Sequence, residues 1–109
     1  MMAIQDGPTR QDLSRKTVSA RIRAALRARS GKAWSVTCGR GTSGGWITIA
    51  AKPNQAMTQE ERTELARLLG KDAVHHQGEK IPASHDYYRE YLDRAEGRTP
   101  SVIGEPYWD

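Results

Sequence analysis

Two alternating runs on either side of a glycine-rich heptapeptide constrain this chain more than any other feature. In Ala33-Trp34-Ser35-Val36-Thr37-Cys38, alternation puts Trp34, Val36 and Cys38 on one side and Ser35 and Thr37 on the other. Trp46-Ile47-Thr48-Ile49-Ala50-Ala51 alternates likewise, with Ile47, Ile49 and Ala51 together. Residues 39–45 join the runs, and four of those seven are Gly. The pattern predicts an antiparallel hairpin with one apolar face. Two strands alone are marginal in water, so some edge must be covered by a helix, by the C-terminal segment or by a partner chain.

Covering material is scarce. Val, Ile and Leu total 16 of 109 residues, there is no Phe, and 13 residues are Ala. Three Trp and four Tyr supply the missing bulk. A chain of this length and content has room for one small core and not two.

Three helices are predicted around the hairpin. Ser14 caps the first, with Leu13 and Val18 placed as a hydrophobic staple. Val18, Ile22, Ala25 and Leu26 form its apolar stripe, and Gly31 ends it. Thr58-Gln59-Glu60-Glu61 is a capping-box signature opening the second, whose Leu65, Leu68 and Leu69 face inward before Gly70. Ser84 caps the third, which carries Tyr88, Tyr91, Leu92 and Ala95 at helical spacing and stops at Gly97. Arg89/Asp93 and Glu90/Arg94 are expected as i,i+4 pairs on its outer side. Residues 72–83 read as loop. The expected fold class is a small α+β domain of α-β-β-α-α order, a two- to three-stranded antiparallel sheet covered by helices, the third strand coming from the tail. Residues 1–12 read as a flexible arm, 13–98 as the single domain and 99–109 as an extended tail that docks on it.

Charge is distributed unevenly. Residues 1–40 carry +7, residues 41–70 are neutral and residues 71–109 carry −3, which accounts for the overall +4. Such asymmetry fits an anion-binding face, or two halves that attract each other on folding. On the first helix, Lys16, Arg23 and Arg27 gather opposite the apolar stripe, with Arg21 and Arg15 flanking it. A stripe of this kind suits phosphate backbones, which reward it by counterion release without sequence readout. An exposed Trp or Tyr nearby would favour single strands, through stacking.

Other candidates carry less chemistry. Gly39-Arg40-Gly41-Thr42-Ser43-Gly44 spells G-x-G-x-x-G, but a strand follows where a dinucleotide site needs a helix. What remains is a loop in which Arg40, Thr42 and Ser43 would help backbone N–H groups cradle a phosphate, or a plain hairpin tip whose glycines tolerate positive φ. His75, His76 and His85 are candidate metal ligands, with Glu79 or Asp86 to assist; neighbouring histidines seldom converge on one ion, and a structural or solvated role is favoured. Cys38 shares the face of Trp34 and Val36 and reads as a small buried hydrophobe before it reads as a nucleophile. No cofactor or catalytic set is expected.

A resemblance adds context. Residues 17–50 combine a basic helix, Gly31, the strand Trp34-Ser35-Val36, the tip Ser43-Gly44-Gly45 and the strand Trp46-Ile47-Thr48-Ile49. This stretch resembles the large-polyvalent-protein-associated domains of mobile-element and phage proteins. Gly39-Arg40-Gly41-Thr42, Gly45-Trp46-Ile47-Thr48 and Ile81-Pro82-Ala83-Ser84-His85-Asp86-Tyr87-Tyr88 are similar to stretches of small, uncharacterised bacterial proteins. The resemblance implies a mobile-element context and an α-β-β-α start, and it places no residue in an active site.

The sequence thus leads to a non-enzymatic nucleic-acid-associated module. A protein-interaction module that binds or inhibits a protein partner comes second, and a small metal-assisted or thiol enzyme third. The cytoplasm is the expected compartment. A lone Cys38 makes no internal disulfide, residues 1–10 lack the apolar stretch of a signal peptide, and no run is long enough to span a bilayer. An uncovered sheet edge would allow oligomers.

Overall fold

A computed structural model describes residues 14–39 and 46–104. Its elements run α1 (Arg15–Ser30), β1 (Ser35–Cys38), β2 (Ile47–Ala50), α2 (Gln59–Leu69), β3 (Glu79–Ile81) and α3 (His85–Ala95). The sheet is antiparallel throughout, in the order β1-β2-β3. On one of its faces α1 packs against β1 and α3 against β3, while α2 packs against both of these helices.

The caps form where the local sequence provides them. Ser14 Oγ accepts the Thr17 N–H at 3.3 Å, and Gly31 closes α1 in the left-handed conformation. Thr58 and Glu61 complete the reciprocal capping box of α2. Ser84 accepts the Asp86 N–H at the start of α3. Each cap satisfies backbone donors or acceptors that a helix end leaves open.

The core lies between sheet and helices. Val18, Ile22 and Leu26 of α1 meet Val36 of β1, Ile47 and Ile49 of β2, Ile81 of β3, Leu65 and Leu69 of α2, and Tyr88, Tyr91 and Leu92 of α3. Trp34 is buried, and its indole N–H donates to Ser30 Oγ at 3.0 Å, closing the corner between α1 and β1. The aromatics therefore fill the volume that the few aliphatics leave open.

The third strand is a correction. It comes from Glu79–Ile81, within the stretch expected to be loop, and residues 99–104 form no strand. The element order is consequently α-β-β-α-β-α. Three residues with one inward apolar side chain carry too little alternation to register as a strand. What holds β3 in place is β2, through the pairs Ile47↔Ile81, Thr48↔Lys80 and Ile49↔Glu79. Residues 70–77 bring the chain back along α2, and the Met57 N–H donates to the His76 carbonyl at 2.7 Å just before the α2 cap. Gly78 then makes the entry to β3. At φ +114° it occupies backbone space that other residues rarely adopt, and a Cβ there would lie 2.7 Å from the Ile49 carbonyl oxygen.

Two side-chain expectations on α3 also change. Glu90 is buried and not outward: it pairs with Arg94 at 2.8 Å and accepts the Gly104 N–H. Asp93 engages Arg98 and Ser101 instead of Arg89. The Glu90/Arg94 pair forms as expected but faces inward; residues 98–104 fold back along the helix, so Gly104 adds a donor to Glu90, and Arg98 and Ser101 take Asp93 in place of Arg89.

Candidate nucleic-acid interface

Folding divides the cations of α1 into two groups. Arg21 pairs with Glu96 at 3.2 Å. The Arg29 guanidinium donates to the carbonyls of Leu68, Arg94 and Ala95 at 2.8–3.2 Å, capping α2 and α3 together. Beyond α1, Lys32 pairs with Glu64 at 2.7 Å. Of these contacts, Arg21–Glu96 joins the basic third of the chain to the acidic third.

Lys16, Arg23 and Arg27 point the other way and are exposed. Among the described residues, none of the three has a carboxylate within 4.0 Å. Arg23 Nη1 donates to the Val36 carbonyl at 3.2 Å, on the outer edge of β1. The basic stripe therefore borders the edge of the sheet. Along the helix, Lys16 to Arg23 is about 10 Å and Arg23 to Arg27 about 6 Å. Arg40, Thr42 and Ser43 lie outside the described residues.

The sheet's second face carries no helix. Ser35, Thr37, Thr48 and Lys80 form its rows through the pairs Thr37↔Thr48 and Thr48↔Lys80. With Lys52 and Gln77 they line a shallow depression of about 370 Å³, on which the described residues place no acidic side chain. Trp46, one residue before β2, continues the row of Thr48 and Ala50 and is 42% exposed. Its carbonyl accepts the Gly39 N–H at 2.8 Å, so the residue across from it has no side chain to shield the indole.

The remaining candidates are dispersed. His75 and His76 stack on each other at 4.4 Å in the loop before β3, and His75 Nδ1 accepts the Gln77 N–H. His85 is exposed in the first turn of α3. Among the described residues no three His, Cys, Asp or Glu side chains gather as a metal site. Cys38 is half-buried at the end of its row, with Sγ 3.7 Å from Ser19 Oγ.

One polar constellation has no counterpart in the sequence reading. The Tyr91 hydroxyl donates to Glu79, and Lys71 Nζ lies 2.9 Å from both Tyr91 Oη and Glu79. Burial, reinforced by the Glu79 hydrogen bond, pushes the Tyr91 phenol far above its ordinary range. A phenol held neutral in this way joins β3 to α3; it is not primed to give up a proton.

Sequence reasoning found the α1 stripe but missed Lys52, Lys80 and Gln77 as members of one surface. Lys80 was hidden because its strand was hidden. The bracket of Gly78 and Pro82 around Glu79-Lys80-Ile81 was the available signal. Among the described residues, no helix is long and apolar enough to cross a membrane. Comparison with protein-family models, with curated proteins and with solved structures returns no significant match.

Proposed function

We propose that this protein is a non-enzymatic nucleic-acid-associated module that holds the phosphate backbone with the outward face of α1. The observation that carries this reading is the division of the α1 cations. Arg21 and Arg29 are consumed by internal partners, whereas Lys16, Arg23 and Arg27 stay exposed on one stripe without carboxylate partners among the described residues. If the positive charge served only to attract the acidic third of the chain, Lys16 and Arg27 would have no task. The resemblance of residues 17–50 to mobile-element and phage domains favours the same reading, and a lone thiol suits work in the cytoplasm.

The test is a binding titration with a labelled 20-nucleotide strand and its duplex, at about 50 mM and about 200 mM salt. The wild type should bind at the lower salt and weaken steeply at the higher. Reversal of Lys16, Arg23 and Arg27 to Glu should abolish binding. Because Arg23 also tethers the β1 edge, Lys16→Ala and Arg27→Ala provide the cleaner single changes. Each should flatten the log–log salt slope by about one while leaving the thermal midpoint in place. No binding of either probe at low salt would overturn the proposal and favour a protein partner.

A further inference from the structure

We infer that the nucleic acid is single-stranded and lies across the helix-free face of the sheet, with a base stacked on Trp46 and phosphates near Lys52 and Lys80. This rests on the nucleic-acid reading above and extends it to a second surface. Its rows hold the hydroxyls of Ser35, Thr37 and Thr48, Lys80 and the small Ala50, and among the described residues no carboxylate lines the depression. An apolar partner would strip water from those hydroxyls and give nothing back. A polyanion with donors and acceptors along its length meets both the charge and the hydrogen-bonding demand.

Trp46 decides the form of the polyanion. The fold draws Trp34, Tyr88 and Tyr91 into a core short of bulk, yet leaves Trp46 in water at the end of the outer row. The residue opposite is Gly39, so the ring has no cross-strand cover. A partly exposed indole at the end of a row that carries hydroxyls and faces Lys80 is a combination by which sheet surfaces hold unpaired bases. In a duplex, bases are already stacked on each other and a surface indole has no face to receive. Trp46 to Thr48 and Thr48 to Ala50 are each about 7 Å along the strand, so the row matches a short footprint of about two or three nucleotides. The α1 stripe borders the β1 edge of the same sheet through Arg23, so a strand leaving the face passes directly onto these cations.

The experiment compares the full-length wild type with Trp46→Ala, Trp46→Phe and Lys80→Ala. The probes are labelled 12-mers of thymidylate and of uridylate, and a duplex of equal length. Trp46→Ala should weaken single-strand binding by about 5- to 150-fold, the range measured for loss of one stacked base. Trp46→Phe should recover most of it, and duplex affinity should change less than about twofold. Lys80→Ala should lower single-strand affinity and flatten its salt slope by about one. Loss with either sugar supports the inference; loss with uridylate alone assigns it to RNA. If Trp46→Ala binds both single strands as the wild type does, while the α1 reversal still abolishes binding, the sheet face is not the site and the α1 reading stands. If the wild type binds no probe, both readings fall. Trp46 is partly exposed, so an unchanged melting curve for Trp46→Ala is the folding control.

Discussion

Asp93 shows how much one side chain organises. Burial works to raise the pKa of its carboxyl. The Ser101 N–H, the Arg98 guanidinium and the Ser101 hydroxyl outweigh burial and hold it below its ordinary 3.8. The folded value lies below the unfolded one. The stabilisation is therefore complete above about pH 4, declines as pH falls through the depressed value, and is gone beneath it. Asp93→Asn should lower the thermal midpoint at pH 7, with a loss of roughly 1–2 kcal/mol. The gap between variant and wild type should close as both are melted at progressively lower pH. A gap unchanged by acidification would show that the carboxylate's charge is not what holds residues 98–101.

Among the elements, the helices depend on two arginines from outside their own ends. Arg29 of α1 reaches the C-terminal carbonyls of α2 and α3, and Arg94 of α3 reaches Leu69 and Gly70 at the end of α2. Two planar guanidiniums thus gather three helices at one corner. Arg29→Ala should cost about 1.5–3 kcal/mol, because charged donors are removed from several carbonyls at once. Arg29→Lys should restore only part of that, since all three bonds leave Nη1 at the tip of the side chain, beyond the reach of the shorter ammonium. Chemical denaturation of the two variants checks the order; equal stability of Arg29→Lys and wild type would show that a point charge suffices there. The strands show the converse dependence. Isolated, β3 has no reason to form, and beside β2 it completes the sheet and terminates it with Lys80 and Pro82, which discourage a further strand.

For the whole molecule, the open question in the sequence was whether the C-terminal segment belongs to the core or waits for a partner. Its described part folds back on α3. Ser101 binds Asp93 through both backbone and hydroxyl, and the Gly104 N–H donates at 2.8 Å to Glu90, which is 4% exposed. Gly104 also sits so close to Tyr87 that a Cβ would fall 2.7 Å from the ring. Ile103 is 54% exposed, and Tyr107 and Trp108 lie outside the described residues. Truncation after Thr99 removes every one of these donors and leaves Glu90 with Arg94 alone. The truncated chain should melt several degrees lower, since about 1 kcal/mol moves the midpoint by roughly 4–8 °C at this size. An unchanged midpoint would mean the segment is retained for binding, and would move the functional reading toward a protein partner.

Local signals were sufficient for much of this architecture. The caps at Ser14, Thr58 and Ser84, the stops at Gly31 and Gly70, the apolar stripe of α1 and the inward residues of β1 and β2 are all decided by neighbours within a few positions. The basic stripe is equally local, because helical periodicity alone gathers Lys16, Arg23 and Arg27. Other features needed the folded chain. Arg21 finds Glu96 and Arg29 finds Ala95 across 75 and 66 residues, and only those contacts reveal which cations remain outward. Lys80 joins Thr48 on the outer face only once β3 has docked, and Glu90 turns inward only once Gly104 arrives. Hydrogen bonds within a helix or hairpin are set by backbone geometry that each short segment carries with it. Partners separated by dozens of residues are set by packing, which no short window of the chain contains.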